Sequence, residues 1–451
     1  MIDQKSLDAF LAAAKKLEAG FAHLPQFDTS ATQSGRIPEI LNLTAEKLHD
    51  TYPYFHPLYI GQMLKPPHPV ARLAYALTMW INPNNHAMEG GKATSPLEKE
   101  AVAEIAAMFG WSEFLGHLCG GGTMANLEAL WVAGQLNPGK KVVASAQSHY
   151  THKRISAVLQ LGFASVPCDA RGRMDIAALE EIVRHGDVGT VVATMGTTAT
   201  GAVDPLPEIL TLSEKYNFRV HADCAYGGYF VLAQNLEPDT AKSLAHIGQA
   251  DSIVIDPHKH GLQPYGCGCV LLRDPALGRL YKHDSPYTYF SSTELHLGEI
   301  SLECSRPGAA AAALWATQKL LPLIREGEFS KDLERSRAAA KKLFAKVDGD
   351  SRFVTAFPPE LDLVIFAPRA ATVSEASAIS RKLFDTAAKQ NLYLAVVELP
   401  TAFFKTHLAD MTADRDTIAC VRTTLMKPEH LDWLDRIWQR FELAYADAVQ
   451  A

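Results

Sequence analysis

An α/β fold followed by a smaller α+β unit is what this 451-residue sequence predicts, and three observations carry that reading. Short Val/Ile-rich runs alternate with helix-period segments through the middle of the chain, the pattern of a largely parallel sheet with helices on both faces. From about residue 310 two long helical patterns come first and strand-like runs follow, so the alternation breaks and a second unit begins. Hydrophobic residues make up 47% and charged residues 21%, the balance of a globular protein with interior enough for two or more packed units.

Taken in order, the N-terminal stretch "MIDQKSLDAFLAAAKKLEAGFAH" spaces Leu7, Phe10, Leu11, Leu17 and Phe21 for an amphipathic helix, with charges where a signal peptide would need an unbroken apolar core. The run Ser95-Pro96-Leu97-Glu98 reads as a helix start, with Ser95 as N-cap and Glu98 closing a capping box; this helix extends to about Phe109. Strand-like runs then fall at 142–146, 190–195, 219–222, 252–255 and 269–272, separated by helical patterns such as 124–135 and 176–185. The last part holds helices at 309–324 and 331–346, strands at 361–366 and 392–397, and a terminal helix over 429–446.

A formal net charge of -7, with no basic cluster longer than Lys140-Lys141 or Lys341-Lys342, argues against nucleic acid as a partner. The longest apolar stretch, 309–316, is far short of the roughly 20 residues that cross a bilayer, so no membrane span is expected. Seven scattered cysteines, an odd number mostly within apolar runs, point to a reducing cytoplasm. Cys267-Gly-Cys269 is the only close pair and lacks a second ligand pair, so no metal is expected.

Four local patterns carry chemistry. "CGGGTMANLEALW", residues 119–131, is a glycine turn opening into a helix, where free N–H groups and the helix dipole suit a phosphate and Thr123 adds a hydroxyl; a tight turn before a packed helix reads the same way. In "SAQSHYTHKR" His149 follows a strand, as a functional imidazole or a surface one. In "VHADCAYGGYF" Asp223 closes an apolar strand, a costly place for a carboxylate without a partner. In "DSIVIDPHKHGLQPYGCGCVLLRD" Lys259 lies on the short connection between two strands, flanked by His258 and His260. A crowded, cation-rich and partly desolvated amine there is expected to lose its proton easily and be available as a nucleophile toward an aldehyde, the alternative being an ordinary loop lysine.

Thr123, His149, Asp223 and Lys259 follow one another at separations of 26, 74 and 36 residues. With "GGGTMAN", "SAQSH", "GTTATGAVDP", "HADCAYGG", "DPHK" and "CSRPG" in one order over residues 50–320, the chain resembles the fold-type-I pyridoxal-phosphate enzymes, specifically the group II amino-acid decarboxylases. The resemblance implies a mainly parallel seven-stranded sheet in a large cofactor domain (96–309), a small C-terminal domain (310–451), and an N-terminal helical segment (1–95) that contributes to a homodimer and to the substrate pocket.

It further implies that Lys259 holds pyridoxal 5'-phosphate as a Schiff base, that Asp223 faces the pyridine nitrogen, and that His149 stacks on the ring opposite Ala225. Gly122, Thr123 and His258 match the family's phosphate contacts, Thr198 a threonine near the ring, and Ser305 a phosphate contact reaching in from a second subunit. The implied reaction is loss of CO2 from an L-amino acid to give an amine, with a loop residue as proton donor; Tyr287, Tyr289 and His296 are the candidates. His56, Tyr59 and Gln62 match the pocket-lining stretch, and Arg422 either holds a substrate carboxylate or makes a structural ion pair.

Two positions depart from the family pattern: Met124 stands where many relatives have glutamate, and Asp256 where some have asparagine. The stretch "HKHGLQPYGCG" is also similar to the phosphorylated-sphingoid-base lyases, which keeps open a carbon–carbon lyase or an aldehyde-forming reaction. A catalytically silent paralogue has no chemical need for the lysine, the aspartate and the histidine together.

Overall fold

The computed structural model describes residues 3–25, 34–282, 300–404, 408 and 410–450. Among these residues, four helices precede the first sheet: α1 (Gln4–Ala19), α2 (Ile37–Leu48), α3 (Pro69–Met79) and α4 (Thr94–Met108). The larger unit then runs β1 (Leu115–Cys119), α5 (Gly122–Leu136), β2 (Lys141–Ser145), α6 (Thr151–Val158), β3 (Phe163–Val166), α7 (Ile176–Val183), β4 (Val188–Thr194), α8 (Leu206–Tyr216), β5 (Arg219–Asp223), α9 (Pro238–Ala245), β6 (Ser252–Ile255) and β7 (Gly268–Leu272). Two long helices follow, α10 (Gly308–Leu320) and α11 (Glu328–Asp348). The last unit holds β8 (Phe353–Thr355), β9 (Leu363–Pro368), α12 (Val373–Lys389), β10 (Ala395–Pro400), β11 (Thr417–Thr424) and α13 (His430–Gln450).

The first sheet has seven strands in the order β1-β7-β6-β5-β4-β2-β3. Strands β6, β5, β4, β2 and β3 are parallel neighbours, and β7 is antiparallel to both β6 and β1, so β1 runs the same way as the parallel set. Every residue of β4 and β6 is buried, which is why these strands read as continuous Val/Ile runs without alternation. The second sheet is antiparallel, in the order β10-β11-β9-β8. The alanine-rich start of α10 lets it approach α3 and α4 closely, and its Ala311 and Leu314 belong to the core of the larger unit. Among the described residues, no helix is long and apolar enough to cross a membrane.

Several expectations need correction. The N-terminal helix ends at Ala19, which leaves Phe21 outside it, and none of its residues is buried; Leu7 and Leu11 are exposed. Ser95 is not the cap of α4: the helix already includes Thr94, and the buried Ser95 hydroxyl has no partner among the described residues. Glu98 closes no capping box either. Its carboxylate accepts the Leu118 N–H at 3.0 Å and the Asn85 side-chain amide at 2.7 Å, and pairs with the Arg306 guanidinium, all deep in the protein. A buried guanidinium recruits the nearest carboxylate, and that demand outweighs a local capping preference. Strands β1, β3, β8 and β11 and helix α12 were not anticipated; in β1 a glycine and a histidine interrupt the apolar run, and pairing with β7 supplies what propensity does not.

Arg306 also donates to the Leu118 carbonyl at 2.7 Å and the Asn85 carbonyl at 3.0 Å, so the Glu98–Arg306 pair ties β1 to the segment ahead of α10. Glu98→Ala leaves that guanidinium buried without its anion and is expected to cost about 3–5 kcal/mol, read as a lowered denaturation midpoint in urea.

Candidate active site

The C-terminal ends of β1, β2, β4, β5 and β6 all open on one edge of the sheet, where ligands bind in open α/β sheets. A cavity of about 490 Å³ lies there, lined by the turn 120–124, by His149, Thr198, Asp223 and Ala225, and by Asp256, His258 and Lys259.

The glycine turn forms one wall. Gly121 has φ of 137°, a backbone state that glycine adopts at little cost, and it precedes α5 without any side-chain cap on the helix. A Cβ on Gly122 would sit 2.7 Å from Asp256 Oδ2, one on Gly121 would sit 3.2 Å from His258 Cε1, and one on Gly268 would sit 2.6 Å from the Gly121 backbone. The turn is thus pressed against the β6–β7 connection, and the first residues of α5, Gly122 and Thr123, line the cavity with no side-chain cap on the helix start. Such a helix start suits a phosphate. The Gly120 N–H is already used, donating to Glu303 Oε2 at 2.8 Å.

Lys259 lies in the connection between β6 and β7, with its Nζ 3.0 Å from Asp256 Oδ2. The expected crowd of cations is not what surrounds this amine. His260 is turned away into the core, 3.2 Å from Asp362, and His258 directs its Nδ1 to the Cys267 carbonyl at 2.8 Å. Neighbours in sequence on a tight loop leave on different sides, and the carboxylate three residues back becomes the partner. Burial lowers the His258 pKa, with Asp256 opposing.

Asp223 ends β5 and is nearly fully buried. His152 Nε2 lies 2.8 Å from its Oδ2, and the Ala225 N–H donates to Oδ1 at 3.1 Å. Burial pushes this carboxyl up, the hydrogen bond and electrostatic pull of His152 with smaller pulls from His221 and Lys259 push it down, and the balance holds it well below the usual aspartate range. Half-buried His149 lines the cavity and has its pKa lowered by burial, so its ring is suited to packing against an aromatic face. Thr194, at the end of β4, is fixed by Asp204, whose carboxylate accepts the Thr194 N–H at 2.8 Å and the Met174 N–H at 2.7 Å. Burial pushes Asp204 up to about 7.

Gly122, Thr123, His149, Thr198, Asp223, Ala225, His258 and Lys259 are therefore brought to one cavity, together with Met124. Among the described residues, the other candidates are not. Ser305 lines a separate small cavity and its hydroxyl accepts from Asn84 at 3.0 Å. Tyr59 is buried among Tyr52, Tyr54 and Tyr393, and His56 meets the edge of Trp433 at 5.1 Å. Arg422 makes no ion pair among the described residues. It donates to the Thr198 carbonyl at 2.7 Å and to Gln62 Oε1 at 2.8 Å, which makes it a strut from β11 to two segments. Tyr287, Tyr289 and His296 lie outside the described residues. Sequence reasoning missed His152; the available signal was its position three residues after His149, on the same turn.

A model of the "Pyridoxal-dependent decarboxylase conserved domain" matches residues 128–369, just over half of the sequence, and the chain belongs to that family. The probable L-aspartate decarboxylase of Halobacterium salinarum is 31% identical over 307 residues, 68% of this chain and 81% of that protein. The L-tyrosine decarboxylase of Levilactobacillus brevis is 28% identical over 390 residues, 64% of this chain and 62% of that protein, so the chain spans about three fifths of the length of this relative. The crystal structure of Oryza sativa TDC with PLP and tryptamine superposes with a TM-score of 0.77 at 19% identity, covering 99% of each chain. That of mouse CSAD in apo form gives 0.77 at 20% identity, covering 98% of this chain and 99% of the other.

The residues present fit pyridoxal phosphate: an amine within the cavity, a carboxylate held ionised against burial, an imidazole on the cavity wall, and a helix start with no cap. Gly122→Ala would push a methyl group into Asp256, displacing both the cradle and the Lys259 partner. It is expected to weaken pyridoxal phosphate binding by at least about tenfold in a spectroscopic titration.

Proposed function

We propose that this protein removes the α-carboxylate of an L-amino acid as CO2, yielding the amine, with pyridoxal phosphate as cofactor. The observation that carries the reading is the convergence of Lys259, Asp223 and His149 beside an uncapped helix start in one cavity. Bound there, the cofactor supplies an aldehyde that combines with amines and a protonated ring that takes up the electron pair of the broken Cα–carboxylate bond. Lys259 would hold the aldehyde carbon, and its Nζ is oriented by Asp256. Asp223 would place a negative charge against the ring nitrogen, and His149 and Ala225 would bracket the ring plane. The N–H groups at the start of α5 and the Thr123 hydroxyl would hold the phosphate. The names of the relatives, L-tyrosine and probable L-aspartate decarboxylases, support amino-acid substrates.

The active unit we infer is a cytoplasmic homodimer. In support, Leu41, Leu48, Met79 and Trp80 leave an apolar surface exposed on the N-terminal segment, the kind of surface a second copy covers. Ser305 lies outside the cavity of its own chain, which leaves the second-subunit role open to it. Light scattering that returns a monomer at micromolar concentration would remove this part.

The holoenzyme is expected to absorb visible light through its lysine-bound cofactor, and Lys259→Ala to abolish that absorption together with turnover. A panel of L-amino acids that includes tyrosine and aspartate, assayed for CO2 and amine, tests the reaction. Aldehyde in place of amine favours the lyase or aldehyde-forming reading, and an unchanged spectrum in the variant refutes the role of Lys259.

A further inference from the structure

One turn of chain supplies two histidines near the same carboxylate, one on the cavity wall and one buried. His149 comes just before α6 and faces the cavity; His152 is the second residue of α6 and is wholly buried behind it. The His152 N–H donates to the His149 carbonyl at 3.1 Å, so the two rings are held in fixed relation. Asp223 lies between His152 and the cavity. Among the described residues, its carboxylate makes only two hydrogen bonds, to the His152 ring on Oδ2 and to the Ala225 N–H on Oδ1.

The protonation pattern of His152 follows from what surrounds it. Its Nδ1 is buried without a hydrogen-bond partner among the described residues, whereas Nε2 is 2.8 Å from a carboxylate oxygen. A proton on Nδ1 would have no acceptor, and a bare Nε2 would face a carboxylate, lone pair to lone pair. The proton therefore sits on Nε2 and is donated to Asp223.

We propose that His152 is the positioning residue for Asp223: its Nε2–H keeps the carboxylate charged and turned toward the cavity, where it can serve as counter-ion to a protonated aromatic nitrogen. This rests on the cofactor reading above and deepens it. The other titratable groups facing Asp223 are His149 from the same segment, His221 on its own strand and Lys259 from the β6–β7 connection. His221 is committed elsewhere, with Nδ1 2.8 Å from Ser252 Oγ and Nε2 2.8 Å from Asn126 Oδ1, and Lys259 pairs with Asp256. Neither can replace a lost donor on Oδ2. Without His152, burial would draw Asp223 toward its neutral acid, the form that cannot act as a counter-ion.

The test uses full-length protein and pyridoxal phosphate itself. Affinity for the coenzyme, followed by visible absorption against pH, is compared among wild type, His152→Phe, His152→Leu and His152→Gln. A raised Asp223 pKa means that the charged form survives only at higher pH, so the acid limb of binding in the phenylalanine and leucine variants should move up by at least roughly one pH unit. Glutamine, whose Nε2 can donate from nearly the same place, should recover most of that shift. In turnover, kcat should fall at low pH while KM stays near its wild-type value.

Acid limbs that coincide in all four proteins would overturn the proposal even if each binds coenzyme. A purely structural role for His152 would lower stability without moving the limb and would also overturn it. Should neither apolar variant fold, the wild-type ring decides: ¹⁵N chemical shifts at pH 8 that place the proton on Nε2 support the proposal, and a proton on Nδ1 removes it. Wild-type protein that binds no coenzyme would instead strike the cofactor reading itself, and the ¹⁵N measurement would still decide the His152–Asp223 contact.

Discussion

A carboxylate at the end of a buried central strand must be kept charged, and much of the arrangement around Asp223 answers to that constraint. Strands β4 and β6 flank β5 on either side, so water cannot supply the solvation that an exposed aspartate takes for granted. The compensation comes from 71 residues upstream, where the first turn of α6 presents His152, and from the residue two places on, whose backbone N–H is free because Ala225 lies in a turn. Small residues after the strand keep the cavity side of the carboxylate open. The charge is useful for the same reason that it is costly: a low-dielectric surround that penalises an isolated anion also strengthens its attraction for a cation placed beside it.

The second organising feature is the close approach of loops that are distant in sequence. Gly121, Gly122 and Gly268 let the turn after β1 press onto the β6–β7 connection, and that contact brings Asp256 within reach of both the turn and Lys259. Behind it, Glu98 and Arg306 bind α4, β1 and the segment before α10 into one buried polar knot. Arg422 does comparable work on the other side, where a guanidinium from the antiparallel sheet grips the Thr198 carbonyl and Gln62. The cavity is therefore held from three directions, and the small C-terminal unit takes part in shaping it through a main-chain contact.

The legible part of the site was the part with local context. Lys259, Asp223, His149 and Thr123 each follow a strand-like run or a glycine turn, and a reactive side chain at a strand end stands out because the run before it is so apolar. His56, Tyr59 and Arg422 looked equally promising in their own stretches, yet the structure commits Tyr59 to a cluster of tyrosine rings, His56 to the edge of Trp433 and Arg422 to carbonyl oxygens. Tyr52 and Tyr54 are local to Tyr59, but Tyr393, the Trp433 ring beside His56 and the Thr198 carbonyl that Arg422 reaches come from segments hundreds of residues away, which no window of sequence contains. Ser95 and Glu98 show the same limit in miniature: a well-formed capping signal gave way to a buried guanidinium supplied by residue 306.

By itself the sequence determined the alternation of strands and helices, the order of the chemical motifs and the residues that carry them, since each depends on periodicity and neighbours within one short segment. Only the tertiary structure decided which of those residues meet, that the partner of Lys259 is a carboxylate, and that a second histidine stands behind Asp223. Hydrogen bonding and desolvation act through space, and the distances that set them exist only once β1, β5, β6 and α6 have been folded side by side.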